Sequence, residues 1–271
     1  MHEYRVCNRS TWNVHHNICR NKRKIQTNQK ETTAKKKTHP LKTIKILCRN
    51  KYFILITLAF AVIYTSLGLT GGSRIYYAKY VLGDEMLNST MTMFNYIPTI
   101  LTIMLIPVFT KRFGKIKALF VGFLFYAAGL VLEIAGPVNL PMIYTGLVLQ
   151  GIGHAALYSC LFAIVGDVVD YSEWKDGIRE EGITYSVTSF GQKIGTGLGT
   201  AALGWILAAG HYDGTAAVQS ASAIFAIKGL FLYLPLVITV IVLIIWYLFM
   251  GIDKIYPTVR KELDERREKA E

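Results

Sequence analysis

Long apolar blocks, separated by short polar or basic connections, dominate the chain beyond residue 51. There are six of them, at 52–69, 87–109, 118–135, 140–165, 183–209 and 224–250. A helix rises about 1.5 Å per residue and the hydrocarbon core of a bilayer is about 30 Å thick, so each block is long enough to cross it. Hydrophobic residues make up 52% of the composition. The pattern therefore predicts an all-α, polytopic membrane protein with six transmembrane helices in a lipid bilayer.

Charge divides the chain into three regions. Lysine and arginine crowd the first fifty residues, where Glu3 and Glu31 are the only acids. A basic stretch this poor in apolar residues cannot bury a core. We therefore expect a disordered basic N-terminal tail at 1–40, a six-helix transmembrane domain at 41–250 and a charged tail at 251–271.

Two sharper interpretations of the basic tail are disfavoured. Nucleic-acid binding normally needs a folded reading module in addition to basic residues, and none is evident, so we expect no nucleic-acid partner. A metal site could be sought in Cys7, His15, His16 and Cys19, but structural zinc sites use closely spaced ligand pairs. We expect no metal and no resident cofactor.

The short connections predict how the helices are oriented. The turn between the second and third blocks holds Lys111, Arg112, Lys115 and Lys117, whereas the connections on the other side contain almost no lysine or arginine. Positive charge concentrates on the cytoplasmic side of membrane proteins. A multi-pass protein of the cell (inner) membrane with both termini in the cytoplasm is predicted.

The fifth block has two distinct faces. Gly191, Gly195 and Gly199 recur every four residues and form a stripe against which a neighbouring helix can approach closely. Lys193 lies away from this stripe, on a face that also carries polar side chains. These are Ser186, Ser189 and Thr200. A lysine in a membrane helix is costly unless it meets a partner or a wet cavity, so Lys193 is a candidate functional residue.

The fourth block carries a polar row, since Gln150, His154 and Tyr158 are spaced four apart and stack on one helix face. Three aligned hydrogen-bonding side chains in a membrane helix favour the lining of a cavity. For His154 alone, a packing histidine is an equally good interpretation. An intramembrane enzyme using Asp167, Asp170 and His154 is disfavoured, because both aspartates lie at the helix exit and no hydrolase motif occurs.

Several stretches resemble a known family. DVVDYSEWKDGIREEGI at 167–183, KIGTGLG at 193–199, YYAKYVLG at 76–83 and KRFGK at 111–115 are similar to segments of the glycoside-pentoside-hexuronide cation symporters. These are the melibiose-permease branch of the major facilitator superfamily. The resemblance begins near residue 40 and implies that the six helices correspond to the C-terminal half of a twelve-helix transporter.

The resemblance also implies residue roles. Lys193 matches the lysine beside the cation and sugar sites, and Tyr158 matches an aromatic position in the sugar pocket. The cytoplasmic gate would comprise Asp167, Asp170, Glu173, Arg179 and Glu181. The expected function is symport of a small sugar with Na⁺ or H⁺.

A six-helix half has an expected consequence. Lys193 would lack an acidic partner, and the gate charges would lack their counterparts across the cytoplasmic face, unless the chain pairs with a complementary six-helix half or forms a homodimer. The chain could also be a truncated product, and the alternative function is a non-transporting membrane fragment or scaffold.

Overall fold

The computed structural model describes residues 46–47, 49–177, 179–216 and 218–269, and within those ranges all regular structure is helical. The predicted 1–40 tail, with Cys7, His15, His16 and Cys19, lies outside them. The helices are α1 (Lys51–Tyr80), α2 (Leu87–Ile103), α3 (Ile106–Phe113), α4 (Lys115–Ala135), α5 (Leu140–Asp176), α6 (Glu181–Ala209), α7 (Ala221–Lys228), α8 (Leu234–Phe249) and α9 (Gly251–Glu268). The predicted all-α membrane fold is confirmed.

Each predicted apolar block corresponds to helix. Four helical stretches of the described chain are long and apolar enough to cross a membrane: α1, α4, α5 and the run from α7 to α9. A fifth is the α2–α3 pair, which bends by 55°. The 29-residue α6 is also long enough, but its apolar sequence is interrupted by Lys193, glycines and threonines, and it is not among these candidate spans.

Polar side chains and glycines mark where the helices begin and end. Asn50 accepts a hydrogen bond from the Tyr52 amide at the start of α1, and Asn139 caps α5 in the same way. Gly177 ends α5 with φ 65°, a conformation that favours glycine. The α7–α8 rod contains a π-helical turn, Gly229–Tyr233, immediately before Pro235, which cannot donate an amide hydrogen bond.

The helices pack mainly in pairs. α1 runs along α6, α5 lies between α2 and α4, and α8 packs against α1 and α4. Small residues allow the close crossings: a Cβ added at Gly68 would lie 2.8 Å from the Thr196 carbonyl oxygen, and one at Gly122 would lie 3.2 Å from the Gly153 carbonyl oxygen. Glycine is therefore required where the backbones meet.

The predicted glycine stripe of α6 is confirmed. Gly191, Gly195 and Gly199 are buried against α1, and a Cβ at Gly199 would lie 3.0 Å from the Leu69 amide nitrogen. By contrast, no described atom lies within 4 Å of a Cβ placed at Gly197. The stripe fixes how α6 is rotated, so the opposite face, which carries Lys193, is not covered by any of the described helices.

The two ends of the helical domain differ in character. One end gathers the α3–α4 turn, the α5–α6 turn and α9, and we call it the charged end, defined by Lys115, Asp167, Arg179 and Arg267. At the other end, the Tyr212 ring packs against those of Tyr76 and Tyr80. Tyrosine at such a position is typical of a membrane–water interface.

Candidate functional site

The polar row of α5 extends from a buried position between the helices to an exposed position on the surface. Gln150 is buried, His154 is half-buried and Tyr158 is 45% exposed. The His154 ring lies 5.0 Å from the Tyr126 ring and 5.9 Å from the Tyr158 ring, measured between centroids. The predicted alignment of the three side chains on one face is present, with only its Tyr158 end freely accessible in this chain.

His154 is held by an interhelical hydrogen bond. Its Nδ1 lies 3.3 Å from the Asn95 side-chain oxygen, and the Asn95 amide donates to the Leu147 carbonyl oxygen at 3.2 Å. Asn95 is buried on α2, directly against α5. This bond orients the imidazole between α2, α4 and α5, so His154 serves helix packing as well as any role in a pocket.

A small cavity adjoins His154. It has a volume of about 20 Å³ and is lined mainly by apolar side chains of α1, α4, α5 and α8, together with the hydroxyl-bearing Ser66, Tyr126 and Thr239. That volume is enough for roughly one water molecule, given that one water needs about 10–15 Å³. The cavity is therefore too small for a sugar.

Lys193 lines a wider hollow on the uncovered face of α6. The hollow has a volume of about 430 Å³, and its other lining residues are Tyr185, Ser186, Ser189 and Phe190. It is open to the surroundings and combines aromatic rings, hydroxyl groups and one ammonium group. Such a surface can both stack on and hydrogen-bond to a polyhydroxylated ligand.

Thr200 lies outside the hollow around Lys193, and Lys193 itself lies apart from the polar row of α5. Thr200 is exposed two turns beyond Lys193, with its hydroxyl donated to the Thr196 carbonyl oxygen of its own helix at 2.9 Å. In the described ranges, neither a hydrogen bond nor an ion pair joins Lys193 to the α5 row, and Lys193 forms no ion pair at all. The α5 row and the α6 hollow are thus separate polar features of one chain.

Two ionisable residues among the helices were missed from the sequence. Arg74 lies on α1 and Glu133 on α4, and Glu133 is fully buried. Arg74 donates to the Thr92 hydroxyl at 3.2 Å and lies within electrostatic reach of Glu133, Tyr96 and Tyr158. The signal that could have found them is the one that singled out Lys193, namely a charge inside or adjoining a membrane-length apolar block.

The charged end brings the predicted gate residues together. The Lys115 ammonium donates to both carboxylate oxygens of Asp167, at 2.6 and 2.9 Å, and the Asp167 side chain is only 8% exposed. Asp170 accepts a hydrogen bond from the Tyr256 hydroxyl at 3.0 Å. These contacts join the starts of α4 and α9 to the last turns of α5.

Arg179, in the α5–α6 turn, is the hub of this network. Its guanidinium pairs with Asp170 at 2.9 Å and with Glu173 and Glu181 at 2.5 Å each. Burial alone would lower the pKa of Arg179, but the hydrogen bonds to Glu173 and Glu181 outweigh it and the pKa is raised. A planar guanidinium carries five N–H donors in a fixed arrangement, so it can hold several carboxylates at once.

The α9 helix closes the network from its other side. Arg267 pairs with Glu173 at 3.0 Å, and the Trp174 indole nitrogen donates to Glu262 at 2.7 Å. The predicted charged tail is therefore a helix docked on the end of α5, from Gly251 to Glu268.

The predicted gate charges already have partners within this chain. Asp167, Asp170, Glu173, Arg179 and Glu181 are all paired with groups of the same chain. The acids of α5 face basic residues of the adjoining α5–α6 turn and also of α4 and α9, which lie 52 and 94 residues away in the sequence.

Comparison with known proteins gives one family. The family described as MFS/sugar transport protein matches residues 14–254, a range that begins within the predicted 1–40 tail. The isoprimeverose transporter of Lactiplantibacillus pentosus is 31% identical over 242 residues, covering 87% of this chain and 49% of that protein. A glucuronide carrier protein homolog of Escherichia coli (strain K12) is 26% identical over 227 residues, which cover 83% of this chain and 50% of that protein.

A third relative is an uncharacterized symporter of Bacillus subtilis (strain 168), 25% identical over 231 residues, which cover 82% of this chain and 49% of that protein. The chain thus spans about half the length of these curated relatives.

Proposed function

Because this chain belongs to the MFS/sugar transport protein family, in its branch of glycoside cation symporters, we propose that it forms one half of a sugar symporter. The substrate would be a glycoside, pentoside or hexuronide, and the coupled ion Na⁺ or H⁺. Transporters of this superfamily bind their substrate near the membrane midplane, at the interface between two repeats. The partner would be a complementary six-helix half or a second copy of the chain.

The observation that carries the proposal is the uncovered face of α6. Lys193 stands on a membrane-length helix, in an open hollow with Ser186, Ser189 and two aromatic rings. An exposed ammonium group facing hydrocarbon would be costly, by about 3 kcal/mol even on the lenient insertion scale. A partner half that completes the hollow with an acidic residue and water removes this cost. Tyr158, which is exposed on α5, presents a phenol hydroxyl on a second helix.

In this proposal Lys193 is the charge that links ion to sugar, and Tyr158, Ser186 and Thr200 are pocket candidates. His154 acts behind them, because its hydrogen bond to Asn95 holds α5 against α2, and Gln150 lies buried further along the same row. The charged end would act as the gate, since a network of several ion pairs has two stable arrangements, closed and broken. Its pairing within this chain supports a gate whose parts are assembled before the second half docks.

Uptake into proteoliposomes tests the function. The chain would be reconstituted alone and together with the complementary half of the Lactiplantibacillus pentosus relative, with isoprimeverose and a glucuronide as probes. We expect uptake driven by an imposed Na⁺ or H⁺ gradient in the paired sample. We expect Lys193→Ala to abolish the gradient dependence, whereas Lys254→Ala, which removes an exposed lysine of α9, leaves it intact.

Two results would count against the proposal. Unchanged gradient-driven uptake by Lys193→Ala removes Lys193 from the coupling. No flux from a folded sample, alone or paired, favours the non-transporting scaffold instead.

For the membrane topology, we propose that both termini face the cytoplasm. The charged end collects Lys111, Arg112 and Lys115 from the α3–α4 turn together with the basic residues of α9. Positive charge of this kind stays on the cytoplasmic side. A single cysteine introduced at Lys254 should be protected from a membrane-impermeant thiol reagent in whole cells and labelled after lysis; labelling in whole cells would contradict the topology.

A further inference from the structure

Glu133 occupies a niche that only glycine leaves open. It lies two residues before the end of α4 and is fully buried against α5. A Cβ added at Gly146 of α5 would lie 2.7 Å from the Glu133 Cγ and 3.2 Å from its Oε1. On the other side, a Cβ at Gly129 would lie 3.0 Å from the Gln150 Cγ. Two facing glycines thus make room for one carboxyl group and one amide group between α4 and α5.

The polar atoms in this niche are not satisfied. The Gln150 amide faces Glu133 closely enough to interact with its carboxyl group, yet among the described residues no hydrogen bond of ordinary length and angle reaches either carboxylate oxygen or the Gln150 Nε2. An ionised carboxylate left unpaired in an apolar interior costs far more than a neutral carboxylic acid does. The geometry therefore favours a proton on Glu133.

One cation lies close enough to stabilise the ionised form. Arg74 of α1 is within electrostatic reach of Glu133, and its Nε is buried without a partner in the described chain. The other titratable groups that face the carboxyl are phenols: Tyr77 of α1 and Tyr126 of α4, with Tyr233 of the π-helical turn next to Tyr77. The α8 helix, which also packs on α4, contributes no charged residue.

A metal cation does not suit this niche. The described residues contain no cluster of three acidic, histidine or cysteine side chains that could hold one. Arg74 adds positive charge beside the single carboxylate, which repels a further cation. A proton differs, because it forms a covalent O–H bond and turns the acid into a hydrogen-bond donor.

We propose that Glu133, Gln150 and Arg74 form a proton-binding site inside this chain, separate from Lys193. In the protonated state the Glu133 carboxyl holds one proton between α4 and α5. When its O–H bond breaks, the proton passes to water and the carboxylate becomes the counter-ion of the Arg74 guanidinium. The change replaces a neutral contact between α4 and α5 with an ionic contact between α1 and α4. The site rests on the chain's own geometry and does not require that the chain transport a sugar.

Infrared spectroscopy of the full chain in lipid nanodiscs tests this site, because a protonated carboxylic acid has a carbonyl stretching band that an ionised one lacks. We expect one protonated carboxyl group at neutral pH in the unmodified chain and its loss in Glu133→Gln. The matched control is Glu85→Gln, which removes a carboxyl that is 60% exposed and paired with Lys79. Arg74→Gln removes the counter-ion, so the band should persist to higher pH than in the unmodified chain.

A band that is absent at neutral pH, or one that survives in Glu133→Gln, would overturn the proposal. If Glu133→Gln does not fold, the unmodified chain labelled with ¹³C at the glutamate carboxyls answers the same question by NMR. One glutamate signal should then stay protonated at neutral pH, while titration of every glutamate in the ordinary acidic range would overturn the site. Neither readout uses transport, so a failure here is distinct from a failure of the uptake experiment.

Discussion

The contact between α1 and α6 offers a sharp test of the fold, through the substitution Gly199→Ala. The added Cβ would lie 3.0 Å from the Leu69 amide nitrogen and 3.1 Å from the Thr65 carbonyl carbon. Ordinary non-bonded contacts between carbon atoms are about 3.5–4.0 Å, so the two helices would have to separate by several tenths of an ångström or more. Overpacking of this kind typically costs about 1–3 kcal/mol.

A matched control is available two residues away, at Gly197. Gly197→Ala adds the same methyl group to the same helix, at a position with no described atom within 4 Å. Both substitutions gain the helix propensity of alanine over glycine, about 0.8–1 kcal/mol, and this gain cancels when the variants are compared. Gly199→Ala should therefore be less stable than Gly197→Ala by about 1–3 kcal/mol.

The measurement is unfolding of the detergent-solubilised chain by SDS, followed by far-ultraviolet circular dichroism. We expect the midpoint of Gly199→Ala to fall below that of the unmodified chain, and the midpoint of Gly197→Ala to equal or exceed it. The double variant Gly195→Ala/Gly199→Ala should lose less than the sum of the single losses, because helices already separated at one site are less strained at the next. Equal midpoints for Gly197→Ala and Gly199→Ala would refute the close approach of the two backbones.

The charged end supplies the remaining predictions. Lys115→Met should lower the free energy of unfolding by about 3–5 kcal/mol, because it leaves the buried Asp167 carboxylate without its ion-pair partner. In the same SDS titration, the double variant Lys115→Met/Asp167→Leu should recover most of that loss. An equal loss of stability in the single and the double variant would contradict the pairing. Arg179→Gln should cost only about 1 kcal/mol, since its ion pairs are partly solvated. Its larger effect should appear as faster proteolysis at the α5–α6 turn, and protection equal to that of the unmodified chain would argue against Arg179 as the hub.

Much of the fold was predictable because it depends on local periodicity. Block length alone identifies membrane-crossing helices, and the four-residue spacing of Gly191, Gly195 and Gly199 identifies the packed face of α6 whatever its neighbour is. Asn139, just ahead of an apolar block, similarly marks a helix start. The motifs at 167–183 and 193–199 pointed to the family that the comparisons show.

The candidate site was predictable only in part. The sequence placed Gln150, His154 and Tyr158 on one face, but it could not tell that Gln150 would face Glu133 while Tyr158 would face outward. It also singled out the gate acids without their partners. Lys115 and Asp167 are 52 residues apart, and Glu173 and Arg267 are 94 apart.

By itself, then, the sequence determined the number and approximate positions of the apolar helices, the packed and polar faces of α6, and which residues could carry charge in a membrane. The tertiary structure alone decided which of those charges meet, because pairings such as Lys115 with Asp167 depend on how helices distant in the chain are rotated and stacked. The periodicity of a helix is visible within a few consecutive residues of the sequence. Contacts between helices are set by the packing of the whole domain, in which a single glycine, Gly146, decides whether a buried carboxyl has room.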